Sequence, residues 1–511
     1  MGTARKILIN TGSQILAKAV LAVIGFVTVK IITNYLEVKG YGYYTGVYDF
    51  IAFFGIASDL GLYTIAVREM ARDEANIEKI IGNILSIRTI LVFVTMTAAF
   101  ITSYFYFPQG TDIMLPLAVS VAAAATVLAL LTGTISTVLQ VNYKMQFNAA
   151  ASIVGKVIAL SYMLYIIFVW SPTPEDGGFY HLFAAGILGN GALFGITYYF
   201  ASKYTRIRYR FDWIFIKEVV IKSLPYGIAL ILNSLYFRIG SIMLFPMVGP
   251  EQTALYGLPL RILEAIAILP LYFMNAVLPT LTKALKEKTD YYRQVIQYSF
   301  DALVMGGVAM AVGMSAIAYQ VIYLLSNENF LSRVDEGFYG SDISLQIVIF
   351  ALAFSFINTL FGFILVAINR QSKLLYINGA GAILAIALNF LLIPHIQARG
   401  AAITDIIVEL FVAAGAYFMA KRYLDFKINL TNTYKILFAG AVMGAAVYYL
   451  KEPTYFLFNM QNKNIIFLIP LGAFVYIGLL FVLRVITPEM LKVLKKSKDE
   501  PSSAPPPALS N

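Results

Sequence analysis

The stretch Asn10–Leu36, NTGSQILAKAVLAVIGFVTVKIITNYL, decides the fold. It is long and apolar enough to cross a bilayer as a helix, yet Asn10, Gln14 and Lys18 recur every four residues and stack on one helix face. Lys18 falls about 15 Å along a helix that starts near Ile7, at ~1.5 Å per residue, which places an ammonium near the bilayer centre. Facing lipid there is costly. The polar stripe therefore faces protein or a watery cavity, opposite something that wants positive charge.

Working outward, such apolar runs follow one another to Ile486, separated by short polar loops. Hydrophobic residues make up 59% of the chain and charged ones 13%, which marks an integral membrane protein with no room for a sizeable soluble domain. The first run is too long, too rich in lysine and too directly joined to a second to be a cleavable signal, and it reads as retained. Zero cysteines exclude disulfides, thiolate catalysis and thiolate metal sites, and two histidines leave little for an imidazole site.

The pattern predicts an all-α polytopic membrane protein with fourteen spans, near 7–34, 43–67, 81–107, 114–140, 149–171, 181–202, 223–247, 256–282, 294–325, 345–368, 374–395, 401–420, 435–450 and 464–486. An even count puts both termini on one side. With that side cytoplasmic, 26 Lys and Arg lie in cytoplasmic segments and only Lys39, Arg333, Arg399, Lys451 and Lys463 in opposite loops. The net charge of +10 is therefore topogenic, and nucleic acid is not an expected partner.

The basic segment 203–222, KYTRIRYRFDWIFIKEVVIK, reads as a cytoplasmic hinge or interfacial linker between two six-helix lobes, 1–202 and 223–420. Six spans per lobe would make any internal repeat parallel, about an axis along the membrane normal. A weak echo exists: Lys18 leads through Gly40-Tyr41-Gly42-Tyr43, read as a turn, to Asp49, and Arg238 leads through Tyr256-Gly257 to Glu264. Pro259, Pro270 and Pro279 make the eighth span bendable. A charge-poor helix pair, 435–486, follows the lobes, and 487–511 reads as a short basic stretch and a disordered cytoplasmic tail.

Charges inside spans carry the functional signal. Lys30 and Arg484, near span ends, can snorkel to the interface. Lys18 and Arg238 are deeper, and Ser234, Arg238 and Ser241 share a face of span 7. Arg88 and Lys156 start about 10 Å in, where snorkelling and cavity lining are both open. Arg261 and Glu264 can pair with each other, whereas Asp405 and Glu409 repel unless a proton, cation or base intervenes. The candidate anion-binding set is Lys18, Arg238, Gln14, Asn10, Arg88, Lys156 and Arg261, and the candidate ion-coupling set is Asp49, Asp59 and Glu264. Asp301 also lies inside a span, without an assigned role. No nucleotide-binding loop GxxxxGK[ST] occurs, no catalytic template is met, and no cofactor or metal is expected.

The stretches NTGSQILAK (10–18), LEVKGYGYYTGVYDF (36–50), FGIASDLGLYTIAVREMAR (54–72) and IGNILSIRTIL (81–91) resemble the polysaccharide transport branch of the multidrug/oligosaccharidyl-lipid/polysaccharide exporter superfamily, which includes O-antigen flippases. LYGLPLRILEAIAILPLYFMNAVLPTLTKAL (255–285) resembles the second-half counterpart. The resemblance implies two six-helix lobes in a V around a cavity that opens alternately to either side. It implies a non-enzymatic flippase of the cell membrane that moves an undecaprenyl-pyrophosphate-linked oligosaccharide for surface polysaccharide biosynthesis. Expected partners are that lipid-linked oligosaccharide, membrane lipids and a coupling proton or sodium ion, with the chain acting as a monomer beside polysaccharide polymerases and glycosyltransferases. Rival readings are a cation-coupled multidrug exporter or a lipid II flippase of the same superfamily, a membrane glycosyltransferase, or a scaffold. The multidrug reading wants an acid-lined cavity. A glycosyltransferase wants an extracytoplasmic loop larger than 327–344.

Overall fold

The structure is a computed structural model that describes residues 3–108, 113–171, 173–174, 177–287, 290–457 and 461–487. The tail expected to be disordered, from 488 onward, lies outside the described residues, as do the side chains of Asn10 and Ser234. In chain order the helices are α1 (Thr3–Asp59), α2 (Leu62–Arg72), α3 (Ile77–Tyr106), α4 (Leu115–Val141), α5 (Met145–Tyr165), α6 (Gly178–Ser202), α7 (Trp213–Val248) and α8 (Pro250–Ile266). There follow α9 (Ile268–Lys286), α10 (Tyr291–Ala316), α11 (Ala318–Leu325), α12 (Ser341–Ala367), α13 (Ser372–Tyr423), α14 (Thr431–Leu457) and α15 (Ile465–Val482). The chain is a multi-pass membrane protein: 11 helical runs are long and apolar enough to cross. Two of these runs are broken by one non-helical residue, Glu37 (φ 53°, ψ −167°) in α1 and Gln397 (φ 52°, ψ −132°) in α13, and each supplies two passes. With the 36-residue α7 the described residues make the fourteen passes read from the sequence.

Several boundaries differ from the sequence reading, among them the start of α7 at Trp213, inside the expected linker 203–222. The Gly40–Tyr43 stretch, read as a turn, is helix, because Gly42 and Gly46 serve packing: a Cβ at Gly42 would lie 1.9 Å from the Pro250 carbonyl oxygen, and one at Gly46 2.6 Å from the Phe245 ring. The ninth pass, read as 294–325, ends at Ala316, since 26 residues already span the membrane, and α11 is a separate short helix. The eighth pass breaks at Ala267 between α8 and α9. Pro270 is three residues on and has no N–H to give to the Ile266 carbonyl, so the ladder fails there.

The chain divides into two compact units, Met1–Ala254 and Leu255–Asn511. In the first, α7 runs antiparallel to the second half of α1 with the contacts in register. Gly227 meets Leu60, Arg238 meets Asp49, Phe245 meets Gly46 and Pro250 meets Gly42. The basic segment is held rather than loose. Arg210 N–H donates to Gly82 O (3.3 Å), Asp212 N–H to Asn83 Oδ1 (2.6 Å), and Arg210 and Asp212 pair with Glu78 (2.6 Å) and Lys79 (2.8 Å). Asp212 then caps α7 by accepting from Phe215 N–H at 3.2 Å. Under this strap lies a core in which Leu62, Ile65 and Met70 of α2 pack with Ile81, Ile84, Val138 and Ile207.

In the second unit α13 folds back on itself, with Gly400 against Leu392 and Gly381 against Val412. The final pair docks on α10: Asn432 Nδ2 (2.8 Å) and Gln297 Nε2 (3.0 Å) donate to the buried Asp301, and Tyr476 Oη donates to Met305 O at 2.9 Å. Asp301 thus has a structural occupation.

Two pairs of turns six passes apart have similar backbones. Glu37, between passes 1 and 2, and Gly249 (φ 91°, ψ 179°), between passes 7 and 8, share an unusual backbone with positive φ and extended ψ. Tyr143 (φ 56°), between passes 4 and 5, matches Asn369 (φ 55°), between passes 10 and 11. Their amides reach Gln140 O and Val366 O, both at 3.0 Å, and the next amides reach Leu139 O and Leu365 O, both at 2.7 Å. A similar cap ends α15 at Arg484, but only the first two lead at once into another helix. Each match is six passes apart, as a parallel repeat requires.

Candidate functional site

The α1–α7 seam creates a buried charge pair in the first unit. Its glycines bring the two backbones close, and at mid-seam Arg238 Nη1 lies 3.2 Å from Asp49 Oδ1 while Ser241 Oγ donates to Asp49 Oδ2. Asp49 is sealed, with a side chain 4% exposed, whereas Arg238 keeps 23% of its surface open. Immediately beside them Tyr106 Oη donates to Ile242 O at 2.6 Å, and its ring stacks on Phe50 at 4.7 Å. Removing one partner from such a buried pair typically costs about 3–5 kcal/mol, because the other charge stays behind.

The remaining acids follow the same rule. Arg88, buried on α3, pairs with Asp59 and also donates to Ser58 O at 3.2 Å. In the second unit Arg261 pairs with Glu264 at 3.1 Å along α8, the partnership its spacing allowed. The anion-binding and ion-coupling sets, distinct on paper, are thus joined one to one in three acid–base pairs. Asp405 accepts from the fully buried Tyr256 hydroxyl, and Glu409 Oε2 lies 3.5 Å from Asn358 Nδ2. Those two acids thus meet a hydroxyl and an amide.

Lys18 and Lys156 behave differently. Tyr35 Oη donates to Ser171 O at 2.8 Å, which fixes the end of the first pass against the end of the fifth. Lys18 lies seventeen residues before Tyr35 and Lys156 fifteen before Ser171, so at ~1.5 Å per residue the two ammonium groups are rooted within about 3 Å of the same membrane depth. Both are exposed on the first unit. Lys156 sits among exposed Val154, Val157 and Ile158 and makes no hydrogen bond or ion pair among the described residues. Gln14, one turn before Lys18, is half-buried.

Reading the sequence for charge missed the aromatic wall beside the ion pair. Phe50, Phe53, Phe54, Phe105 and Tyr106 border an apolar cavity of about 320 Å³ in the first unit, closed by Thr102 and Ile242. The pattern FIAFF at 50–54 with YFYF at 104–107 was the available signal.

Fourteen helical passes that carry charges at depth define a class: polytopic helical membrane proteins. Comparison makes this specific. A family model described as polysaccharide biosynthesis protein matches residues 7–285, and the chain belongs to that family. No curated protein matches the sequence. Among solved structures, a lipid II flippase MurJ in an inward closed conformation is similar with TM-score 0.73 at 10% identity, over 93% of this chain and 98% of that one. An inward-facing multidrug resistance MATE family transporter of the MOP superfamily is similar with TM-score 0.62 at 14% identity, over 83% and 98%. A MOP superfamily transporter from Pyrococcus furiosus, described as having a binding pocket of reverse polarity, is similar with TM-score 0.51 at 15% identity, over 82% and 94%. The fold is the one these proteins share.

Proposed function

We propose that the protein is a flippase that moves an undecaprenyl-diphosphate-linked oligosaccharide across the cytoplasmic membrane by alternating access, for surface polysaccharide biosynthesis. Family membership and the shared fold support transport of a lipid-linked glycan intermediate. The observation that carries the choice of an anionic headgroup is the placing of Lys18 and Lys156 at one depth, exposed, with no acid among the described residues bonded to Lys156. A diphosphate is the ligand that repays bases at such depth. In the first unit Gln14 and Arg88, the latter paired with Asp59, complete the proposed polar path, and Asn10 and Arg261 stay proposed substrate contacts by residue type alone.

Arg238 and Asp49 work as a competitive couple in this proposal. An arriving phosphate draws Arg238 from Asp49, and a proton or sodium ion then takes its place on the carboxylate, so headgroup and coupling ion help each other bind. The two compact units, Met1–Ala254 and Leu255–Asn511, are the proposed moving bodies, divided after α7 rather than at 203–222 because α7 packs on α1, with the pair 435–486 as an accessory and both termini cytoplasmic. The chain acts as a monomer beside polymerase and glycosyltransferases. A multidrug exporter on this fold would need open acids for organic cations, but Asp49, Asp59 and Glu264 each hold an arginine. A lipid II flippase differs only in the sugar.

The test is binding of three probes to the protein in nanodiscs: an undecaprenyl-diphosphate oligosaccharide, uncharged undecaprenol and a lipophilic organic cation. The proposal expects the diphosphate to bind at least tenfold more tightly than undecaprenol, with that advantage lost in Lys18→Gln/Lys156→Gln. Preference for the cation would replace it with drug export.

A further inference from the structure

We infer that the aromatic cavity of the first unit is a binding site for the first isoprene units of a polyprenyl diphosphate, the hydrocarbon next to the charged group. The inference rests on the flippase reading and specifies where its lipid is held.

The cavity's chemistry favours hydrocarbon. Its walls are five aromatic rings and Ile242. Its two hydroxyls are committed elsewhere, Tyr106 Oη to Ile242 O at 2.6 Å and Thr102 Oγ1 to Ala98 O at 2.7 Å. Their oxygens are left only to accept, too few partners for a water that needs about two to four, so the walls favour hydrocarbon. The volume of about 320 Å³ is roughly twice the ~150 Å³ apolar cavity that takes up one six-carbon ring, leaving room for about ten to twelve carbons. That is two isoprene units, far less than a whole lipid.

Position selects the occupant. Phe50 follows Asp49 in α1, and Ile242 lies one helical turn, about 6 Å, beyond Arg238 on the same face of α7. A molecule with a diphosphate at Arg238 and branched hydrocarbon starting within one turn of it satisfies both. A phospholipid tail is separated from its phosphate by a polar glycerol ester for which these walls offer no hydrogen bond. Phe105, 87% exposed, marks the open rim through which the remaining prenyl chain leaves.

Occupancy also reaches the ion pair. The Tyr106 ring borders the cavity, stacked on Phe50, and its hydroxyl donates to the Ile242 carbonyl next to Ser241, the residue that holds Asp49. Hydrocarbon against Tyr106 therefore reports the lipid to the same couple that its diphosphate engages.

The experiment uses full-length protein in nanodiscs with a sugar-free polyprenyl diphosphate carrying a photoreactive diazirine in its second isoprene, and a phosphatidylglycerol with the same group in its tail. The expected result is labelling of the peptides holding Phe50–Phe54 and Phe105–Tyr106 by the prenyl probe, competed by unlabelled polyprenyl diphosphate but not by phospholipid. Thr102→Trp, which puts an indole into the cavity, lowers that labelling at least tenfold, and Thr102→Ser leaves it unchanged. Equal labelling by the phospholipid probe, or prenyl labelling confined to other helices, overturns the inference. Labelling as expected in a protein that transfers no oligosaccharide supports the cavity and removes the flippase reading. Transfer with no labelling does the reverse.

Discussion

Replacing Arg238 by alanine tests the α1–α7 seam quantitatively. Asp49 is 4% exposed, so the substitution leaves a carboxylate in the protein interior with Ser241 still donating to it. Loss of one partner from a buried pair costs about 3–5 kcal/mol, most of it the stranded charge. Asp49→Asn added to Arg238→Ala removes that charge and leaves a cost of about 1–2 kcal/mol for lost hydrogen bonds and packing. The double variant is therefore the more stable of the two, by about 2–3 kcal/mol. Both tryptophans, Trp170 and Trp213, lie in the first unit, so their fluorescence during heating reports this unit directly. At roughly 2–4 °C per kcal/mol, Tm falls by about 10 °C in Arg238→Ala and recovers by about half in the double variant. Equal Tm values for the two variants, or an unchanged Tm in Arg238→Ala, would refute the buried-pair reasoning.

Other outcomes follow from single contacts. Gly46→Ala pushes a methyl to 2.6 Å from the Phe245 ring and loosens the seam, which hydrogen exchange reads as faster exchange in α7 while α4 to α6 hold. Glu37 occupies a backbone region that glycine tolerates and other residues enter at a cost of order 1–3 kcal/mol, so Glu37→Gly raises the Tm of the first unit, and a fall contradicts the strain. The Lys79 ammonium hydrogen-bonded to Asp212 lowers that carboxyl below its usual range, helped by the Phe215 amide. A depressed acid stabilises above its unfolded value and loses the effect as pH falls through its folded value. Protection of the Phe215 amide, corrected for intrinsic exchange, therefore drops below about pH 4. Constant protection down to pH 2 would show that the cap does not depend on the carboxylate. Lys156→Gln, at an exposed position, leaves Tm unchanged and weakens diphosphate-lipid binding by about tenfold or more, the loss of one charge-assisted contact.

The number of passes was legible because each needs about twenty apolar residues, a signal independent of packing. Asp49, Arg238 and Lys18 stood out because charge at depth is rare. What stayed hidden was partnership. Asp49 and Arg238 are 189 positions apart, and nothing local indicates that glycines at 42, 46 and 227 bring α7 against α1. Glycine misled at Gly40–Tyr43, where close approach and a turn call for the same residue. Arg261 with Glu264 was readable, since a helix puts neighbours three apart within reach. The weak echo between the halves in side chains is matched by a likeness of backbone at Glu37 and Gly249, which no residue pattern could have shown. The aromatic cavity escaped because phenylalanines in a membrane chain are too common to signal a site until three helices converge on one space.

The central claim is settled most directly by transfer of a fluorescent undecaprenyl-diphosphate oligosaccharide across proteoliposomes, read by quenching from one side, for wild type and for Lys18→Gln/Lys156→Gln at equal reconstitution and equal Tm. Transfer by wild type and its loss in the variant is the predicted result. No transfer by wild type, or transfer at the same rate by both, would contradict it.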